Sequence, residues 1–323
     1  MKVGIIGAGS IAGTMAGTIR EMDCAQNYAV AARDYGRAAE FAQTYGFEKA
    51  YGSYEELVED AGVELVYIAT PHSHHYEHIK LCLNHGKHVL CEKSFTVNES
   101  QAREVLALAR EKKLLLTEAI WTRYMPMRKT LDGVLSSGII GRPYMLTANL
   151  GYIISGKERI MRPELAGGAL LDVGIYPLNF ASMVFGDEVD SITGTAVMTE
   201  TGVDAQNSIT ITYKDGKMAA LCSSAMGLSD RRGIIYGDNG FIEVENINNC
   251  EGIRVYDRSR NMIASYDTPK QISGYEYEVE ACLRAIKEGA LECPEMPHEE
   301  TLRMMGWMDE LRRQWGLVYQ IGR

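Results

Sequence analysis

The sequence predicts an α/β protein in two parts: a doubly wound parallel sheet, then an α/β domain built on a large, mainly antiparallel open sheet. Three observations carry this. In the first 120 residues, short β-branched or apolar runs alternate with longer stretches of helical period, which is how a parallel sheet with crossover helices reads. From about residue 190, strand-like runs follow one another through hairpin turns with no helix between them. The length, 323 residues, exceeds the ~100–200 of an ordinary single domain.

In chain order, strands are expected at 3–6, 28–32, 65–70, 88–91 and 114–117, with helices at 37–45, 54–60, 75–85 and 98–112, the last capped by Asn98. Right-handed crossovers follow by default. After Trp121 the rhythm changes to a helix at 127–136, a strand at 144–152 and a glycine-led helix at 168–184. Strands at 189–200, 206–213, 218–226, 232–236, 241–245 and 252–257 are punctuated by Lys214-Asp215-Gly216 and Gly237-Asp238-Asn239-Gly240. Helices at 275–288 and 299–315 close the chain. No repeat or low-complexity linker intervenes, so the division into 1–120 and 121–323 marks a change of pattern.

Hydrophobic residues make up 46% and charged residues 24%, which excludes a disordered, collagen-like or coiled-coil chain. The net charge of -10 leaves no electrostatic footprint for nucleic acid or an anionic membrane, so small molecules are the expected partners. Seven cysteines form no C-x-x-C pair and no short disulfide framework; reduced cytoplasmic thiols are the plain reading. The stretch from Val3 to Ile19 lacks charged residues but is interrupted by glycines and is shorter than the ~20 residues of a membrane helix. Its apolar runs are also too short for a signal peptide, the rival reading of that segment.

The run from Val3 to Ala12 is a strand followed by G-x-G-x-x-A. Gly7 makes the tight turn, Gly9 lets a pyrophosphate approach the backbone, and Ser10, Ile11 and Ala12 open a helix whose amides face phosphate oxygens. This predicts dinucleotide binding. The second strand ends Ala31-Ala32-Arg33-Asp34, with Ala32 where an acid would bond a ribose hydroxyl, and Arg37 follows one turn after Arg33. Guanidinium groups match a 2′-phosphate, so NADP is expected. NAD is the alternative, if Arg33 merely pairs with Asp34 and Asp34 reaches the ribose.

Four of the seven histidines crowd into residues 70–78, at a sheet edge where ligands bind, and His74 and His78 share a helical face. No cysteine or second ligand cluster supports them, so no metal site is expected. Another strand ends in Glu92-Lys93-Ser94 at the same edge. A lysine there is ordinarily a solvated terminus and acquires chemistry only with partners. Within residues 167–177, Asp172 and Tyr176 lie four apart on one helical face, next to a proline that disturbs the helix at 177. Asp172 as a cap and Tyr176 as core are the other readings.

Gly7-Ala8-Gly9-Ser10-Ile11-Ala12, Ala31-Ala32-Arg33, Thr70-Pro71 with His75, Cys91-Glu92-Lys93, residues 118–123, residues 167–177 and Gly274-Tyr275-Glu276-Tyr277-Glu278 occur in this order along nearly the whole chain. Together they resemble the Gfo/Idh/MocA oxidoreductases, in particular the branch of dihydrodiol and NADP-dependent xylose dehydrogenases. The resemblance implies an N-terminal Rossmann domain and a C-terminal domain whose open sheet mediates dimerisation or higher homo-oligomers. It implies Lys93 as the lysine of the family's E-K-P motif, with Ser94 in place of proline, Tyr176 as acid/base and Asp172 as an orienting acid. Trp121 and Arg123 border nicotinamide and substrate by the same analogy, although a buried aromatic and a structural ion pair are their plain alternatives; Thr70, Pro71, His75 and Glu92 join the cofactor side. In the implied reaction Tyr176 exchanges a proton with the substrate oxygen, Lys93 favours its phenolate, and hydride passes between NADP and a carbinol carbon of a sugar, polyol or dihydrodiol. The rival from another class is a non-catalytic NADP-binding sensor, which would need neither Lys93 nor Tyr176.

Overall fold

The structure, a computed structural model, describes residues 1–319. Its first sheet is made of β1 (Lys2–Ile6), β2 (Gln26–Ala31), β3 (Lys49–Tyr51), β4 (Leu65–Ile68), β5 (His88–Glu92) and β6 (Leu116–Ala119). The helices between them are α1 (Ser10–Arg20), α2 (Tyr35–Tyr45), α3 (Tyr54–Glu59), α4 (His72–Asn84) and α5 (Glu99–Lys112). β4 is buried along its whole length and β1 everywhere but its first residue, because helices cover both sheet faces; this is why they read as unbroken apolar runs. Local chemistry sets the helix starts. Asp34 caps α2, Ser53 and Glu56 form a capping box on α3, and Asn98 caps α5.

The strand order is β3-β2-β1-β4-β5-β6, all parallel. The chain therefore winds outward from β1 in one direction and then from β4 in the other, which places a switch point at the carboxyl ends of β1 and β4. The far edge is closed by later chain. Leu116 N–H donates to the carbonyl of Leu291, and His298 Nε2 lies 2.8 Å from the carbonyl of Leu116.

The second sheet takes β7 (Pro143–Gly151), β8 (Val189–Met198), β9 (Asp204–Tyr213), β10 (Met218–Ser224), β11 (Gly233–Gly237), β12 (Gly240–Glu245), β13 (Gly252–Asp257) and β14 (Met262–Asp267). Its order is β14-β13-β12-β11-β7-β10-β9-β8, antiparallel throughout except for the parallel pair β7 and β10. α6 (Pro126–Ser136) and the short α7 (Glu158–Met161) precede a π turn, Leu170–Gly174, that runs into α8 (Ile175–Phe185). The π turn and α8 pack on β7, β9 and β10, and the apolar segment Pro163–Phe185 is mostly buried there, as a core helix is. α9 (Glu276–Glu288) and α10 (His298–Trp315) follow.

The chain forms two compact units, Met1–Tyr124 with Gln271–Met305, and Met125–Lys270 with the segment from Gly306. Residues 271–305, which the change of sequence pattern assigns to the second part, belong with the first, because they cover the β6 edge.

Candidate active site

The nucleotide half is built at the carboxyl end of β1. Gly7 has φ of 102°, its amide bonds the carbonyl of Ala31 at 2.9 Å, and a Cβ there would stand 2.9 Å from the carbonyl oxygen of Ala69. Only glycine fits that turn without strain. A Cβ on Gly9 would meet nothing within 4 Å, and α1 begins immediately after it with no side-chain cap. The turn therefore leaves room beside the positive end of a helix, which fits a dinucleotide pyrophosphate. Ser10, Ile11 and Ala12 supply that first turn.

At the end of β2, Arg33 and Arg37 are both exposed. Arg37 reaches back to the carbonyl of Ala8 at 2.9 Å, tying this cationic edge to the glycine turn. Asp34 accepts the amide of Arg37 at 2.8 Å as the cap of α2, so its carboxylate is engaged with its own helix. Arg33 acts electrostatically on Tyr54, His74 and His78. Burial, reinforced by neighbouring His74, His75 and Arg33, pushes His78 down to about 3.

Thr70 and Pro71 lie between β4 and α4. His75, fully buried, is expected on the cofactor side, but its ring sits within the protein fabric, with Nδ1 2.9 Å from the carbonyl oxygen of Ser94 and Nε2 2.8 Å from that of Thr70. Its part is to bind the turn after β4 to the residue after Lys93. Burial holds its pKa down at about 4 despite these carbonyls. His78 Nδ1 is 2.9 Å from Thr70 Oγ1 and the His74 and His78 rings stack; among the described residues no group of three or more His, Cys, Asp or Glu side chains is placed to hold a metal ion.

Lys93 follows β5 directly. Glu92, nearly buried, accepts a hydrogen bond from the Tyr67 hydroxyl and takes the amide of Lys93 on Oε2 at 3.2 Å, so the backbone carrying the lysine is fixed from below. The Lys93–Ser94 peptide bond is cis. Behind it, Glu118 accepts from the amide of Phe95 and the hydroxyl of Thr301, each at 3.1 Å, and burial pushes it up to about 7. Trp121 stacks on Tyr275 with centroids 4.2 Å apart, and Arg123, also buried, pairs with Glu300 at 2.7 Å. Both residues are thus held by partners inside the first unit.

The second unit carries Asp172 and Tyr176 on the π turn and α8. Pro177 has no amide proton and crowds the carbonyl four residues back, and the helix takes a wider π turn just before it. Asp172, 4% exposed, pairs with Arg159 of α7 at 2.6 Å; Tyr176 is 7% exposed one turn on. The expected role of Asp172, orienting a substrate hydroxyl or Lys93, therefore begins from an ion pair with an arginine that sequence reading does not single out. Tyr67 and Arg159 escape that reading because their partners are 25 and 13 residues distant in sequence, and no local pattern marks them.

Residues 1–120 match the family described as an oxidoreductase family with an NAD-binding Rossmann fold, and residues 129–243 match the GFO/IDH/MocA C-terminal domain. The trans-1,2-dihydrobenzene-1,2-diol dehydrogenase of Xenopus tropicalis is 33% identical over 98% of this chain and 99% of its own, and that of Homo sapiens 34% identical over 99% and 98%. The fold is shared with KijD10, a 3-ketoreductase from Actinomadura kijaniata solved with NADP and TDP-benzene (TM-score 0.90, 24% identity, 97% of each chain). It is shared too with an aldose-aldose oxidoreductase from Caulobacter crescentus (TM-score 0.88, 18% identity, 97% of each chain). With both of its domains matched and relatives a third identical over their full length, the chain belongs to the Gfo/Idh/MocA family of NAD-binding Rossmann oxidoreductases.

Proposed function

We propose that this oxidoreductase uses NADP to move a hydride to or from a carbinol carbon of a polyhydroxylated ring, a trans-dihydrodiol or an aldose. The observation that carries the cofactor preference is the exposed pair Arg33 and Arg37 at the end of β2, with Asp34 turned into its helix cap. The dihydrodiol dehydrogenases of matching length support the substrate class.

When bound, the nicotinamide accepts or gives the hydride. Tyr176 takes the hydroxyl proton from the substrate in the oxidative direction and returns it in reduction. A phenol ordinarily ionises near ~10 and a cation beside it lowers the cost of the phenolate, the part that the resemblance implies for Lys93 along with contact to the substrate oxygen. Glu92 and Tyr67 keep the lysine's backbone in place, and Arg159 holds the carboxylate of Asp172 one turn before Tyr176. We further propose that the protein works as a homodimer in a reducing, cytoplasmic compartment, in keeping with seven free cysteines.

The test is turnover of NADP and NAD by the purified protein across trans-dihydrodiols, aldoses and inositols, with carbonyl compounds and NADPH as the reverse arm. NADP is expected to be preferred, and Tyr176→Phe and Lys93→Met are each expected to lower kcat by about a hundredfold or more with cofactor still bound. Near-normal turnover in both variants would end the mechanism, and equal use of both cofactors would end the role of Arg33.

A further inference from the structure

The start of the helix bearing Asp172 and Tyr176 is held by a side chain from another strand. Asp204, the first residue of β9, is 1% exposed, and its Oδ2 accepts from the amide of Leu170 at 2.7 Å and from Asn207 Nδ2 at 3.0 Å. Leu170 opens the π turn, and the preceding Ala169 supplies no side-chain cap. Asp204 thus provides, from 34 residues along the chain, the carboxylate that an N-cap normally gives. Gly168 makes room for it: its φ is 112°, and a Cβ there would stand 2.2 Å from Asp204 Oδ1. The same network continues to Ser223, which lies close to the other end of the turn. Asn207 Oδ1 accepts from the Ser223 hydroxyl at 2.8 Å, and a Cβ on Gly174 would lie 3.0 Å from Ser223 Oγ.

We propose that Asp204 is a positioning residue for the reaction: backed by Asn207 and Ser223, it clasps the start of the π turn at Leu170 and so fixes Asp172 and Tyr176 for proton transfer. The clasp's part in turnover rests on the reading of Tyr176 given above; its grip on the turn does not. Catalytic groups must be held closely, since a displacement of about 1 Å costs on the order of a hundredfold in rate.

The experiment compares full-length wild type, Asp204→Ala, Asp204→Asn, Asn207→Ala and Tyr176→Phe by amide hydrogen exchange, NADPH affinity from fluorescence, and turnover on the best substrate of the panel. In Asp204→Ala, exchange across residues 170–176 rises about tenfold and kcat falls about ten- to a hundredfold, while NADPH affinity stays within about twofold. Asp204→Asn keeps an acceptor oxygen for Leu170 and recovers most of both losses. Should Asp204→Ala fail to fold, Asn207→Ala, which loosens the carboxylate but leaves it in place, shows the same pattern at smaller amplitude. Unchanged exchange, unchanged kcat despite faster exchange, or NADPH affinity lost in step with kcat overturns the proposal. Full turnover in Tyr176→Phe strikes the acid/base reading alone, since the exchange rates report the clasp by themselves.

Discussion

Glu118 shows how a single buried side chain couples this protein to pH. It lies fully inside the first unit, takes hydrogen bonds from Phe95 and Thr301, and is pushed up to about 7 by burial, with Arg123 opposing and Glu92 adding to the rise. Because its folded pKa lies above the ordinary carboxylate range, the folded state holds a proton that the unfolded chain releases. The stability this lends is complete below that ordinary range and is lost as pH rises through about 7, at most about 3 kcal/mol. Glu118→Gln removes the titration while Gln keeps an acceptor for Phe95 and an amide for the Thr301 oxygen. Urea denaturation at pH 5 and pH 8 is expected to show a smaller loss of stability in the variant than in wild type; equal slopes would place the titrating proton elsewhere.

At the scale of elements, sequence pattern works where burial is periodic and fails where contacts are distant or edges are short. The inner strands were legible because burial on both faces forces apolar runs. β3 has only three residues, Lys49-Ala50-Tyr51, and β14 is an edge strand with most of its residues exposed, so neither leaves a periodic trace. Lys93 and Tyr176 enter the candidate site through motif and resemblance, whereas the ion pair of Asp172 with Arg159 and the hold of Asp204 on Leu170 depend on how the chain folds back over α7 and β9. The glycine turn after β1 is the element whose conformation and expected chemistry coincide most closely. Gly7→Ala would place a Cβ against the Ala69 carbonyl at a positive φ that costs an L-residue about 1–2 kcal/mol. NADPH affinity is expected to fall about tenfold or more as the turn shifts, a loss of about 1.4 kcal/mol or more. Fluorescence titration checks this, and unaltered affinity in a folded variant would separate the turn from the cofactor.

For the whole molecule, the consequence lies in the face of the second sheet opposite the π turn and α8. Along β9 and β10, the covered positions Ile209, Ile211, Ala219 and Leu221 alternate with Gln206, Ser208, Met218, Ala220 and Cys222, which are exposed. Met145 and Met218, on neighbouring strands, are 41% and 45% exposed, and Tyr236, Phe241 and Tyr256 form a row of ring contacts across β11, β12 and β13. Contiguous exposed apolar patches are uncommon on monomeric proteins and mark surfaces that meet a partner. A twofold interface places the same patch on both subunits, so one added charge is met twice. Ala220→Arg puts a long cation near the middle of this face without touching the covered side. Sedimentation at micromolar concentration is expected to show wild type at twice the chain mass of 35.9 kDa and the variant at that mass, with the circular dichroism unchanged. A wild-type protein that sediments as a single chain throughout the micromolar range would refute the dimer and leave the sheet face to a different partner.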